Sequence, residues 1–374
     1  MAWAYLSRVV LGPCPALTAL IDSVGVREAA RAVREHALPQ VLRDATARRR
    51  DVDTAARDLE TIHARGGRLV TPDDAEWPAW RLLGLAQLLP GRDPDGAVPL
   101  VLWVRGERNL SEFTERALAV VGARCSTGYG DRIAGEIAGE LAARGWTIVS
   151  GAAFGIDGIA HRAALTVGGA TIAVLACGAD RPYPAGHDRL IARIAEAGLV
   201  VSEYPPGTPA RKHHFLARNR LIGSLADGVL VVEAGMRSGA RNTVKWARRI
   251  GRPALAVPGS VDSAASAGCH RMIRDGEAVL VTGTADVLAE VAPLHLPCTA
   301  GSESSGDGRP SGVAAQILAA LPDTGGRWPH EIAAATGMES AEVRAALVAL
   351  DLAGVAARSD AGWFRSDRAE KGGE

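Results

Sequence analysis

Apolar positions along the chain change their spacing in a way that divides it. Over residues 1 to about 65 they recur at helical intervals: Leu17, Leu20, Ile21 and Val24 fall at i, i+3, i+4 and i+7, and Ala29, Val33 and Leu38 continue the stripe. A small helical domain is expected there. From 66 to 115 the pattern is broken by turn residues, among them Thr71-Pro72-Asp73-Asp74, Trp77-Pro78 and the stretch from Pro90 to Pro99, before one short apolar run over 100–104. This reads as a connector that ends in a strand.

Beyond residue 116 short apolar or β-branched runs alternate with helix-length segments, the rhythm of βαβ units around a parallel sheet. The runs lie at 118–121, 147–149, 171–175, 199–202, 228–232, 254–257 and 278–281. Helices are expected over 131–144 and 241–250, the second stopped by Gly251 with Pro253 beyond it. The whole predicts a doubly wound, mostly parallel α/β sheet over 116–291. Residues 292–311, with Gly301-Ser302-Glu303-Ser304-Ser305-Gly306-Asp307-Gly308, have the composition of a flexible linker. A separate module over 312–368 then reads helix 313–321, helix 330–335, a turn at Gly337, helix 340–353 and short strands near 355–357 and 362–364, the order of a winged helix.

Composition narrows the function. The 374 residues are 47% hydrophobic and 22% charged, enough for sizeable cores. Forty-two basic residues against 42 acidic argue against binding by bulk positive charge, so any polyanion site must come from local clustering. Cys14, Cys125, Cys177, Cys269 and Cys298 are far apart and never form CxxC, which supports neither a disulfide framework nor a zinc ribbon and fits a reducing cytoplasm. No leader-like N-terminus or long apolar span is visible, so neither export nor membrane insertion is expected.

Glycine-rich segments mark candidate anion sites. Gly122-Ala123-Arg124-Cys125-Ser126-Thr127-Gly128-Tyr129-Gly130 joins the first parallel strand to a helix, where backbone N–H groups and the positive end of a helix dipole converge. It matches neither GxGxxG nor a P-loop, but Arg124 adds a guanidinium suited to phosphate. Ser150-Gly151-Ala152-Ala153-Phe154-Gly155-Ile156-Asp157-Gly158 occupies the same slot after the next strand, so the two turns should meet at one sheet edge. Asp157 and His161, one helical turn apart, suit a metal or a capping carboxylate beside a hydrogen-bonded histidine; the second is the commoner arrangement, and no metal or cofactor is expected. Ser238-Gly239 precedes another helix, and Glu233 reads either as a general base or as an acceptor of loop amides. No ordered nucleophile and base emerge, which argues against an enzyme.

Charge is densest in 211–252, where ten basic residues face only Asp227 and Glu233, a net +8. Within it, Arg211-Lys212-His213-His214-Phe215-Leu216-Ala217-Arg218-Asn219-Arg220 sets one aromatic ring among cations. Phosphate contacts plus a ring for base stacking are what single-strand binding requires. Coding bias, 39 Arg to 3 Lys, explains the residue type but not the clustering. The winged-helix segment, with five basic residues against seven acidic, favours a protein contact over duplex DNA.

Taken in order, ten motifs over about 118–281 resemble the DNA-processing protein A family (DprA, also called Smf). They are Val121-Gly122-Ala123-Arg124-x-x-Thr127-x-Tyr129-Gly130, Val149-Ser150-Gly151-Ala152, Gly155-Ile156-Asp157-x-x-Ala160-His161, 173–178, Tyr183-Pro184, 202–207, Phe215-x-x-Arg218-Asn219-Arg220, Val232-Glu233-Ala234, Ser238-Gly239 and 256–259. The resemblance implies an extended Rossmann-like domain with an N-terminal helical domain and a C-terminal winged helix. It implies a protein that coats and protects single-stranded DNA, helps load the RecA recombinase in natural transformation or related DNA processing, and forms a homodimer. The DNA pocket it implies maps onto Arg124, Ser150, Gly151, Lys212, Phe215, Arg218, Asn219 and Arg220; with Gly122, Thr127, Tyr129, Ser238, Gly239 and Arg241 of the glycine turns read above, these make the expected DNA-binding site. Two departures stand out: Phe154 replaces the family's usual basic residue before Gly-Ile-Asp, with Arg241 the candidate substitute, and the segment after Ser238-Gly239 reads Ala240-Arg241-Asn242-Thr243. The rival reading is a nucleotide-binding enzyme of a Rossmann-like phosphoribohydrolase type, whose Pro-Gly-Gly-x-Gly-Thr-x-x-Glu signature is absent. A sensor of small nucleotides would gain nothing from the +8 segment.

Overall fold

The structure, a computed structural model, describes residues 1–88, 96–291, 313–323, 325–338, 343, 346–347, 350, 355–359 and 362–366. It forms two compact units, Met1–Leu296 and Pro297–Glu374.

In the first unit, five helices, α1 (Ala2–Val10), α2 (Pro15–Val24), α3 (Val26–Glu35), α4 (Gln40–Thr46) and α5 (Ala55–His63), precede strand β1 (Gly67–Val70). The helical stripe read through Val24 is broken there. Gly25, at φ 81°, ends α2 and opens α3, leaving Val24 exposed while Leu17, Ala29 and Val33 are buried. Leu38 is buried too but lies beyond α3. Helix α6 (Ala79–Ala86), strand β2 (Leu102–Arg105) and the single turn α7 (Leu110–Phe113) occupy the segment expected to be a connector.

The βαβ series follows as β3 (Ala117–Val121), α8 (Gly128–Ala143), β4 (Thr147–Ser150), α9 (Ile156–Thr166), β5 (Thr171–Leu175), α10 (Asp188–Ala197) and β6 (Leu199–Ser202). It continues with α11 (Lys212–Ser224), β7 (Gly228–Val231), α12 (Ala240–Arg249), β8 (Ala254–Ala256), α13 (Ala267–Arg274), β9 (Val279–Leu280) and α14 (Thr284–Val291). The described strands of this unit form one sheet ordered β1-β2-β6-β5-β4-β3-β7-β8-β9. β6 through β9 in that order are parallel, and β2 and β1 add an antiparallel edge.

Helices cover both faces, so β3 to β8 are buried throughout and read as unbroken apolar runs. Their side chains alternate faces. Ala117, Ala119 and Val121 pack under α6, α11, α12 and α13, while Leu118 and Val120 pack with Ile133, Ile137 and Leu141 of α8. Farther along that second face, Trp103, Ala173, Leu175 and Val200 share a core with α10 and the N-terminal helices.

The order reverses between β3 and β7. The chain winds one way from β3 and the other way from β7, so the carboxyl ends of these two neighbours border a crevice where doubly wound sheets bind ligands. Their amino ends are locked. Arg81 of α6 is fully buried, with its guanidinium on both Asp227 oxygens (2.5 and 2.8 Å), on the Thr114 and Glu115 carbonyls (2.6 and 2.9 Å) and 3.7 Å from the Trp80 ring. Asp227 also accepts the Ala117 N–H at 3.0 Å.

In the second unit, α15 (Val313–Ala320), Leu321 just past it and α16 (Pro329–Thr336) pack Ile317, Leu321 and Ile332 on Val343, Leu347 and Leu350, which lie among the described positions of the third expected helix. Gly337, at φ 70°, ends α16, and β10 (Ala356–Ser359) pairs antiparallel with β11 (Gly362–Arg365) as the wing. The expected linker lies outside the described residues. No helix among the described residues is long and apolar enough to cross a membrane.

Candidate nucleic-acid interface

The expected meeting of glycine turns occurs at the carboxyl ends of β3, β4 and β7. Ala123 N–H donates to the Glu233 carbonyl at 2.7 Å, and Ile156 N–H donates to the Ala123 carbonyl at 3.2 Å, stitching three turns together. Glycine is required at the seams: a methyl at Gly122 would strike Ile156 and the Glu233 carbonyl, and Gly155 takes φ 72° against the backbone of Ala123 and Arg124. Glu233 is buried, and its carboxylate accepts the Thr127 N–H at 2.9 Å and the Thr127 hydroxyl at 2.6 Å. It is therefore an acceptor of loop groups. Thr127, which caps α8, directs its hydroxyl proton to Glu233 rather than outward.

Several expected contacts turn out to support the cleft instead of lining it. Ser150 is buried and donates its hydroxyl to the Val120 carbonyl at 2.6 Å. Tyr129 ties its hydroxyl to the Pro258 carbonyl. Arg220 is fully buried, 2.6 Å from Glu203. Arg241 is held by both oxygens of Glu277, at 2.8 and 2.5 Å, and does not line the cleft, so it does not replace a cation at Phe154. A helix spreads a run of charges around its axis, which is why the density over 211–252 exceeds the charge in any one place.

The floor is a buried pair. Arg218 donates to the carbonyls of Gly151 (3.0 Å) and Val174, and leaves no room for a side chain at Gly151. Asp157 accepts the N–H groups of Gly151 and Ala153 at 3.2 and 3.4 Å. Burial pushes the Asp157 carboxyl upward and the Arg218 guanidinium downward from their ordinary ranges, each opposed by the partner's charge. His161 bonds Thr171 through Nδ1 at 2.7 Å, the hydrogen-bonded histidine expected, but Asp157 holds amides of the preceding loop and does not cap α9, which has no side-chain cap.

Above that floor opens a cleft of about 900 Å³. Arg124 stands exposed at the rim, its guanidinium 5.3 Å from the centroid of the Phe215 ring. Phe215 leans on Tyr183, with centroids 5.3 Å apart. Lys212 begins α11, and Arg237 comes from the turn after β7; both line the cleft with Gly122, Ser238 and Gly239. Asn219 fixes the far wall by donating to Asn242 Oδ1 at 3.2 Å and to the Gly239 carbonyl at 3.5 Å. Among the described residues, Arg124, Lys212 and Arg237 take part in no ion pair. Tyr183 and Arg237 were absent from the site expected from sequence. The motif Tyr183-Pro184 and a cation directly before Ser238-Gly239 were the available signals.

A doubly wound sheet carrying a cationic, glycine-lined cleft at its reversal point, followed by a winged helix, defines a Rossmann-like protein whose cleft has the lining an anion would need. The sequence profile of DNA recombination-mediator protein A matches residues 68–292, and that of the DprA winged helix domain matches 305–362. The chain belongs to the DNA recombination-mediator protein A family. It is 47% identical over 369 residues to the putative DNA processing protein DprA of Mycobacterium tuberculosis, covering 97% of this chain and 93% of that one. It is 39% identical over 287 residues to protein Smf of Escherichia coli, covering 76% and 75% respectively. The X-ray structure of DprA from Streptococcus pneumoniae superposes with a TM-score of 0.62 at 33% identity, over 76% of this chain and 93% of that one.

Proposed function

We propose that the chain binds single-stranded DNA in the β3/β7 cleft, protects it and helps load the RecA recombinase onto it, in natural transformation or related DNA processing. It acts in the cytoplasm as a homodimer and breaks no bond in its ligand. One observation carries this reading: Arg124, Lys212 and Arg237, none of them ion-paired among the described residues, face one cleft with the Phe215 ring, while the nearby carboxylates of Glu233 and Asp157 are occupied by loop amides. Cations beside an apolar ring suit a polyanion with exposed base faces. Carboxylates so engaged are poorly placed to move protons. Among the described residues, Cys14, Cys125, Cys177 and Cys269 are free of disulfides, which accords with a reducing compartment.

A salt titration tests it. Three phosphate contacts give a log–log slope of about −2 for single strands, and Arg124→Ala or Lys212→Ala should each reduce that slope by about 0.7 and weaken binding roughly tenfold. Duplex of equal length should bind less tightly. If both variants bind single strands as the parent does, the assignment of this cleft is wrong.

A further inference from the structure

Phe154 is 49% exposed, an unusual position for a phenylalanine, and it lies next to the cleft rather than on a remote face. Its chain neighbours on either side, Ala153 and Gly155, respectively line the cleft and pack on the Arg124 backbone. Its ring is backed by Gly186, where a methyl would come within 3.2 Å of Cζ, and by the edge of His187, with centroids 4.7 Å apart at 63°. His187 is itself anchored, its Nδ1 3.0 Å from the Ala152 carbonyl. The ring is thus held from behind and open in front.

The turn that backs Phe154 begins just after Tyr183, which is 42% exposed and leans on Phe215. Followed around, Arg124, Phe215, Tyr183, the 184–187 turn, Phe154 and Gly155 close a circuit that returns to Arg124. The circuit holds the rings of Phe215, Tyr183 and Phe154, the His187 imidazole behind Phe154, and one guanidinium. Phe215 and Tyr183 touch each other, so no base can slide between them; they present one continuous apolar wall, and Phe154 presents a second face farther out.

We infer that Phe154 is a base-stacking platform that extends the cleft, taking an unpaired base beyond the one received by the Phe215–Tyr183 wall. The inference rests on the single-strand reading above and goes further by assigning affinity at this position to base faces, with no phosphate contact. An aromatic ring accepts any base, so the platform adds affinity without adding sequence preference, and the gain does not depend on salt.

The test compares a thymine homopolymer with an abasic homopolymer of the same length, read by fluorescence anisotropy across a salt series. Phe154→Ala should weaken thymine binding about tenfold, leave the salt slope unchanged and leave abasic binding unchanged. Phe154→Trp should restore thymine binding, and Phe154→Arg should steepen the slope by about 0.7 on both polymers. Unchanged melting temperatures confirm folding; for a variant that melts lower, recovery in Phe154→Trp serves instead. The inference is overturned if Phe154→Ala binds thymine as the parent does, as a ring reserved for a protein partner would require, or loses equally on both polymers. If the parent itself binds neither polymer, it is the single-strand reading that falls; if Arg124→Ala weakens binding and Phe154→Ala does not, only the platform falls.

Discussion

The imidazole of His161 is fully buried between α9 and β5, and burial holds its pKa at about 3, well below the ordinary 6.5. The Thr171 hydroxyl donates to the Ile148 carbonyl at 2.7 Å, so it accepts from His161 Nδ1–H, leaving Nε2 unprotonated. As pH falls below 6.5 the unfolded chain takes up a proton that the folded chain refuses until about 3. Stability from this residue is complete above the higher value and is lost on acidification at up to about 1.4 kcal/mol per pH unit. Urea unfolding should show the parent losing about 1–2 kcal/mol more than His161→Asn between about pH 6.5 and pH 4.5; equal losses would contradict the assigned environment. Sequence made Asp157 and His161 legible as a pair: the histidine is hydrogen-bonded as expected, while Asp157 anchors the loop before α9 instead of capping the helix. It did not separate Arg124, exposed at the rim, from Arg218 in the floor or Arg220, buried against Glu203. Three identical side chains differ only in what the fold puts beside them.

Among the elements, α6 shows most clearly what spacing alone conceals. Its sequence, flanked by Pro78 and a turn-rich stretch, reads as connector, and nothing in the spacing marks the arginine of its first turn. The fold carries that arginine to Asp227, more than a hundred residues away, and the pairing becomes visible only once β3 and β7 are neighbours. Strand β1 was hidden for a similar reason: it opens on Gly67, which fits against the Val104 carbonyl, and it gains its place only by pairing with β2. By contrast β3 to β8 have both faces covered, so their apolar runs announced themselves within a residue or so of their ends. Breaking the Arg81 pair leaves a buried charge without its counterion. Asp227→Asn should therefore cost about 3–5 kcal/mol in chemical denaturation, while the folded fraction keeps the parent's affinity for single strands, because the cleft lies at the other end of the same strands. Lost affinity at full folding would show that the two ends are coupled.

Across the whole molecule, equal numbers of acidic and basic residues conceal a local excess of cations at the one place where the sheet order reverses. That reversal follows from connectivity and was foreseeable once a doubly wound sheet was read. Which cations would face it was not, because α11 and α12 distribute theirs around their axes. The Arg81–Asp227 lock gives β3 and β7 unequal ends: one pinned by a buried charge pair, the other continued into loops of glycine. Amide deuteration followed by mass spectrometry should register this as a gradient along single strands. Hydrogens near Ala117 and Asp227 should be released only when the entire domain opens, and those from Ala123 through Thr127 by small local excursions that a bound oligonucleotide suppresses. Grip and release of a long polymer would then proceed by flexing one rim, at no cost to the body that holds it.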